Sequence, residues 1–207
     1  MKSIFILCIT LLISTVTMAQ ECVKVNYKLR GYFYAGSSQI DSLSLGGFYA
    51  AKNTPQPCSD NILNLISQNE IQVVVATDSL ASFSEKYAAF KVYIINGSDK
   101  TQTLEAQDSR LYMKRQVFYK DKWHDVEYIP SSWCGNSYHN VFIKSKEYWE
   151  FSAPCFKGKI DAKFRFALTL SNSETIYSNS FNGSFNKAQL KKEQGHKTQG
   201  IMDPYNN

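Results

Sequence analysis

The sequence predicts an all-β fold: an antiparallel immunoglobulin-like β-sandwich with an N-terminal elaboration and one short helix. Three observations carry that expectation. Aromatic and β-branched residues dominate the periodic segments. Within those segments apolar and polar side chains alternate with the period of a half-buried strand. Turn residues separate them at short intervals, while long helical patterns are missing.

The elements follow in order. In "CVKVNYKLRGYFY", Val23, Val25, Tyr27 and Leu29 share one face, and Lys24, Asn26, Lys28 and Arg30 the other. The Ser-, Gly- and Pro-rich stretch "AGSSQIDSLSLGGFYAAKNTPQPCSDN" reads as a long loop with a short strand over 46–51. Ser59 or Asp60 is placed to cap a short helix over "NILNLISQ", with Ile62, Leu65 and Ile66 on one side. "IQVVVATDSL" is apolar enough for a central strand. "YAAFKVYIIN" ends at the turn Asn96-Gly97-Ser98-Asp99, and "KTQTLEA" continues beyond it. "SRLYMKRQVFYKDKWHDVEYI" predicts a hairpin tipped by Lys120-Asp121-Lys122, and "YHNVFIKSKEYWEFSA" a second one turning at Lys144-Ser145-Lys146. "KIDAKFRFALTLSNSETIYSNSFNG" is the clearest. Ile160, Ala162, Phe164, Phe166, Leu168 and Leu170 alternate with Asp161, Lys163, Arg165, Ala167 and Thr169, and "SNSE" supplies the turn. Periodicity ends after Asn186.

The organisation expected is a leader over 1–19, then N-terminal strands, long loop and short helix over 20–86. A sandwich core over 87–186 and a polar flexible tail over 187–207 follow. The leader rests on Lys2, the apolar run from Ile4 to Val16, and small residues at Thr17 and Ala19 before a cleavage point at Gln20. The protein is therefore expected to be exported, to the periplasm or the exterior, with no transmembrane segment after cleavage. Cys22 follows Gln20-Glu21 rather than a small residue, which argues against lipidation.

Cleavage would remove Cys8 and leave Cys22, Cys58, Cys134 and Cys155, an even set suited to disulfides in an oxidising compartment. Of the three possible pairings, Cys134–Cys155 and Cys22–Cys58 are favoured because each closes a local loop; free buried thiols are the alternative. The formal net charge of +5 is interleaved with acids, and its densest patch is Lys187, Lys191, Lys192 and Lys197. That pattern is a solvated tail, and nucleic acid is not expected as a partner.

The run from "FKVYIINGSD" through "DKWHDVEYIPSSWCGNSYHNVFIKSKEYWEFSAPCFKGKIDAKFRFALTL" to "IYSNSFNG" resembles uncharacterised exported Ig-like β-sandwich proteins of Gram-negative bacteria. More distantly, the order of Asn96, a hairpin with Trp123, and Trp149 before a final strand pair is similar to bacterial proteinase-inhibitor domains of Ig-like fold. The resemblance covers about the C-terminal half. It implies the fold and no catalytic residue, and the cysteines depart from the inhibitor pattern.

"SSWCGNSYHN" gathers Cys134, Asn136 and His139, the residue types of a thiol protease. A reactive thiolate needs a base and a helix N-terminus or cation; turn formers surround Cys134 instead, so a stapled loop is expected. His124, His139 and His196 offer no helical i, i+4 metal pair. No Gly-x-Ser-x-Gly elbow or phosphate-cradling loop is present, and Glu127, Glu147 and Glu150 fall in strands. No catalytic residue, cofactor or metal is expected. The best interaction candidates are Trp123, His124, Tyr128, Trp133, Tyr138 and His139, where aromatic side chains meet turn residues and polar tips. These features predict a non-catalytic binding module of the bacterial cell envelope, with a protein or glycan partner. A protease-inhibitor or immunity-type protein acting through a loop is the alternative, and a carbohydrate-active hydrolase is less favoured.

Overall fold

A computed structural model describes residues 20–45, 51–67, 69–132 and 134–194. The leader, most of the short strand expected over 46–51, Trp133 and His196 lie outside the described residues. The described chain is all-β with one short helix. Its strands are β1 (Val23–Lys24), β2 (Leu29–Arg30), β3 (Gln56–Pro57), β4 (Ile71–Ser82), β5 (Ala88–Asn96) and β6 (Gln102–Gln107). These are followed by β7 (Arg110–Leu111), β8 (Met113–Tyr119), β9 (Lys122–Asp125), β10 (Glu127–Tyr128) and β11 (Tyr138–Ile143). The last five are β12 (Glu147–Pro154), β13 (Phe156–Lys157), β14 (Ile160–Thr169), β15 (Thr175–Tyr177) and β16 (Phe181–Phe185).

One sheet runs β3-β12-β5-β4, a second β15-β14-β8-β9 with β16 also on β14, and a third β11-β6-β7. Two parallel pairs, β1 with β13 and β2 with β10, sew the N-terminal stretch onto later strands. Phe33 fills the space between the first two sheets. Its ring meets Phe151 of β12 at 5.5 Å and Phe166 of β14 at 5.3 Å, both edge-on.

Hairpin chemistry was legible where two residues suffice. The β8–β9 turn sits on Lys120 and Asp121, both with positive φ, as a twist-matched two-residue turn requires. The "SNSE" turn joins β14 to β15 as expected. The expected hairpin at Lys144-Ser145-Lys146 does not form: β11 pairs with β6, and β12 with β5 and β3. The chain changes sheet there because Asn96 pins the corner. Its Nδ2 donates to the carbonyls of Ile143 (3.1 Å), Lys144 (3.0 Å) and Lys100 (2.7 Å). The run expected to be central, β4, lies at a sheet edge, with Ile71, Val73 and Val75 turned into the core. The helix α1 (Asp60–Leu63) starts after Ser59 as expected, but it is one turn long and buries nothing. Residues 187–194 carry a 3-10 turn, and Lys28 bridges to Glu193.

The cysteines correct the expected pairing. The bridge is Cys22–Cys155, closing a sequence separation of 133, while Cys58 and Cys134 are free. Local loop length misled because the N-terminal strand crosses the molecule to lie beside β13, where Val23 N–H reaches the Cys155 carbonyl at 2.8 Å. Burial pushes the Cys58 thiol up, making it a poor nucleophile.

A buried ion pair sits behind this bridge. Arg115 is 1% exposed and Glu127 0%, with Nε and Oε1 3.4 Å apart. The Arg115 amide donates to Glu127 Oε2 at 2.8 Å, and the guanidinium donates to the Pro154 carbonyl (2.8 Å) and Tyr32 Oη (2.9 Å). It lies 3.7 Å from the centre of the Phe156 ring. Burial raises the Glu127 carboxyl despite the Arg115 charge, and raises the Tyr32 hydroxyl too.

Candidate functional site

Of the six expected interaction residues, Trp133 lies outside the described residues, and the other five fall on three different strands, β9, β10 and β11. Trp123 and His124 lie on β9 of the second sheet. The Arg165 guanidinium stacks 4.2 Å from the Trp123 ring and 3.6 Å from that of Tyr177, and Phe118 tilts against Trp123 at 5.3 Å. This ladder crosses four strands, with the Arg165 cation against the Trp123 and Tyr177 rings, while Phe118 and Tyr177 stay exposed. His124 Nε2 is 3.0 Å from the Tyr119 carbonyl, to which it donates. Tyr128 on β10 donates its hydroxyl to the Gln194 carbonyl at 2.6 Å. Tyr138 opens β11, and its hydroxyl exchanges hydrogen bonds with the Ser132 backbone.

His139 marks a different place. The β6–β7 turn is built on Asp108 (φ 49°) and Ser109 (φ 63°), a left-handed pair that short polar side chains tolerate. That turn presses the Ser109 amide against His139 Nε2 at 2.8 Å. The lone pair of Nε2 is therefore an acceptor, and Nδ1, 3.2 Å from the Asn140 carbonyl, carries the proton. Ser109 Oγ stands 3.5 Å from the same nitrogen. Asp41 is nearby, so a Ser-His-Asp set can be drawn. However, the Nε2 lone pair that would take the hydroxyl proton is directed at a backbone amide.

Residues 33–41 bond first to β7 and its preceding turn and then to β11, the two outer strands of the third sheet. Leu111 N–H donates to the Phe33 carbonyl (2.9 Å), Ala35 N–H to the Ser109 carbonyl (2.8 Å), and Ser38 N–H to the Phe142 carbonyl (2.9 Å). At Gly36 a side chain is excluded, because an added Cβ would lie 2.6 Å from the Ala51 carbonyl oxygen. The Gly36 carbonyl accepts the Trp149 indole N–H at 2.9 Å. Asp41 then locks the loop. One carboxylate oxygen accepts the Asn140 amide (2.7 Å) and side chain (3.2 Å), and the other the Leu43 amide (3.1 Å). Asp41 is buried, yet Ile40, Leu43 and Leu45 around it are 88%, 87% and 76% exposed.

Two adjoining cavities flank this loop. One of about 400 Å³ is walled by Gly36, Ser37, Asp41, Ser109, His139 and Asn140, among others. One of about 490 Å³ is lined by Tyr34, Ala51, Lys52, Asn53, Asp108 and Arg110. Arg110 is 7% exposed and donates from Nη2 to Tyr34 Oη at 2.7 Å. Sequence reading found His139 but not Tyr34, Asp41, Ser109 or Arg110. The available signal was an acidic residue within an aliphatic-rich loop and a polar Asp-Ser turn between two strands.

The Asn140 amide holds the Asp41 carboxyl below its ordinary range, helped by the Leu43 amide and the Asn140 side chain. A depressed carboxyl contributes stability above its unfolded value and loses it as the pH falls through its folded value. The Asn140 amide resonance is therefore expected to keep its neutral-pH position down to about pH 4 and to move only at more acidic pH. In Asp41→Asn that acid transition should be absent.

Among the described residues no group of three or more His, Cys, Asp or Glu is placed to hold a metal ion, and no helix is long and apolar enough to cross a membrane. No family model, no curated protein and no solved structure matches this chain.

Proposed function

We propose that the protein is an exported, non-catalytic binding module of the cell envelope that engages a protein partner through the 37–45 loop. One observation carries this reading: three aliphatic side chains stand in water on a loop whose base is fixed by the buried Asp41 carboxylate. Exposed aliphatics in such a group are unfavourable alone and mark contact surfaces. Fixing the backbone beforehand removes ordering cost from association. No lysine or arginine occurs between Arg30 and Lys52, so the loop suits an apolar protein pocket better than an anionic lipid surface. Export is supported by the leader pattern and by the Cys22–Cys155 bridge. The same convex, pinned loop favours inhibition of a protease or toxin as the second reading, in keeping with the resemblance to inhibitor domains.

A photo-cross-linking amino acid placed at position 40 or 43, in the protein within its own envelope, tests the reading. The expected result is one discrete adduct from both positions. It should be weakened at least severalfold by Asp41→Ala and absent when the probe stands at Lys120 on the far hairpin. No adduct, or the same adduct from all three positions, contradicts it. Inhibition adds a further expectation: the adduct contains a protease or toxin, and one equivalent of the protein abolishes its activity.

A further inference from the structure

We propose that the cleft lined by Tyr34, Ala51, Lys52, Asn53, Asp108 and Arg110 binds a carboxylate group, with Arg110 as its cationic anchor. The site is independent of the 37–45 loop as a recognition element and would stand if that reading failed.

The two buried arginines of this protein differ in one respect. Arg115 has Glu127 opposite it at 3.4 Å. Arg110 has no carboxylate in ion-pair reach among the described residues, although Asp108 lines the same cleft. Its Nη2 is satisfied by Tyr34 Oη at 2.7 Å, and the guanidinium lies 5.1 Å from the centre of the Tyr34 ring. Among the described residues its Nε and Nη1 have no hydrogen-bond acceptor and are shielded from solvent, as is Arg115 Nε. A buried cationic donor without an acceptor is unfavourable, and stacking on one tyrosine offsets it only in part. A carboxylate arriving in the cleft supplies to Arg110 the countercharge that Glu127 supplies to Arg115.

The backbone around Arg110 is fixed. It bridges to Tyr34, and the preceding turn is anchored on His139 through the Ser109 amide. Only the side chain has to adjust. Its unpaired edge has no hydrogen bond to surrender, and turning it toward the cleft costs the contact with Tyr34. The cleft's volume, about 490 Å³, falls within the range of small-ligand sites. It admits a small organic acid, an acidic side chain or a chain terminus.

Charge narrows the ligand. Arg110 and the exposed Lys52 against Asp108 leave one net positive charge on the walls. That balance matches a monoanionic carboxylate and disfavours a dianionic phosphate, which would face Asp108 with its second charge uncompensated.

Side-chain NMR of the ¹⁵N-labelled protein tests this, following the Arg110 Nε–H resonance while sodium acetate is added against sodium chloride at matched ionic strength. The expected result is a saturable shift in acetate that chloride does not produce, with inorganic phosphate at pH 7.5 binding more weakly than acetate. Lys52→Ala, at an exposed position, should weaken acetate about two- to fivefold. Arg110→Met should abolish the acetate-dependent shift at the Asn53 amide. Should Arg110→Met fail to fold, the wild-type titration and Lys52→Ala still decide the matter. An Arg110 Nε–H that responds identically to acetate and chloride overturns the proposal. Tighter binding of phosphate than of acetate overturns its assignment to a carboxylate.

Discussion

Replacing Cys22 and Cys155 by serine is expected to lower the unfolding free energy by about 5 kcal/mol, from the chain-entropy cost of a loop this long. The sequence separation is 133, so the bridge restrains most of the unfolded chain, where either local pairing would have closed a shorter loop worth about 3–4 kcal/mol. A loss of that size approaches the whole stability of many domains. The native state also depends on the bridge locally. β1 pairs with β13 over only two residues, and Cys155 N–H reaches the carbonyl of Ala88, the first residue of β5, at 3.0 Å. The reduced protein should therefore unfold at a much lower guanidinium concentration. The Cys58→Ser/Cys134→Ser variant should keep the wild-type midpoint, because both thiols are free. Equal midpoints for the two double variants would contradict the assigned bridge.

Arg115→Met is expected to cost about 3–5 kcal/mol, because it leaves the Glu127 carboxylate buried without its countercharge. The loss should depend on pH. Glu127 is already raised by burial, and removing the cation raises it further. A carboxyl raised in the folded state gives its stability below its unfolded value and loses it as the pH rises through the folded value. The variant should therefore be closest to wild type below about pH 4.5 and fall behind as the pH rises toward neutrality. Arg115→Met/Glu127→Leu, which removes both charges, should recover much of the loss. Guanidinium unfolding at pH 4.5 and 7.5 measures all three proteins. A double variant no more stable than the single one at pH 7.5 would show that the pair's charges do not govern the effect.

How much of this was legible in the sequence follows from the distance over which each feature is encoded. The alternation of Phe164, Phe166 and Leu168 and the turn at Lys120-Asp121 are decided within a few residues, and both appear as expected. The sheet change at Lys144 was not legible, because it is fixed by Asn96, 47 and 48 positions away from the carbonyls it binds. The disulfide was missed for the same reason: proximity along the chain was a poor guide once residues 20–36 proved to lie across later strands. In the candidate site, His139 stood out as a reactive residue type beside Cys134. Its partners did not. Asp41 reaches Asn140 across 99 positions and Arg110 reaches Tyr34 across 76, and nothing local distinguishes either from a solvated charge. The aromatics near Trp123 suggested an interaction face; that Arg165, 42 positions later in the numbering, stacks on the Trp123 ring was not legible locally.

Amide hydrogen exchange at Ser38, Leu43 and Asn140 tests most directly whether the 37–45 loop is held ready for a partner. These amides donate to the Phe142 carbonyl and to the two oxygens of Asp41. The pinned loop is expected to slow all three relative to an unstructured peptide in the free wild-type protein. Asp41→Ala should release Leu43 and Asn140 while the β5 amides stay protected. Exchange at Leu43 and Asn140 as fast as in a peptide, or equally slow with and without Asp41, would contradict a preorganised recognition loop.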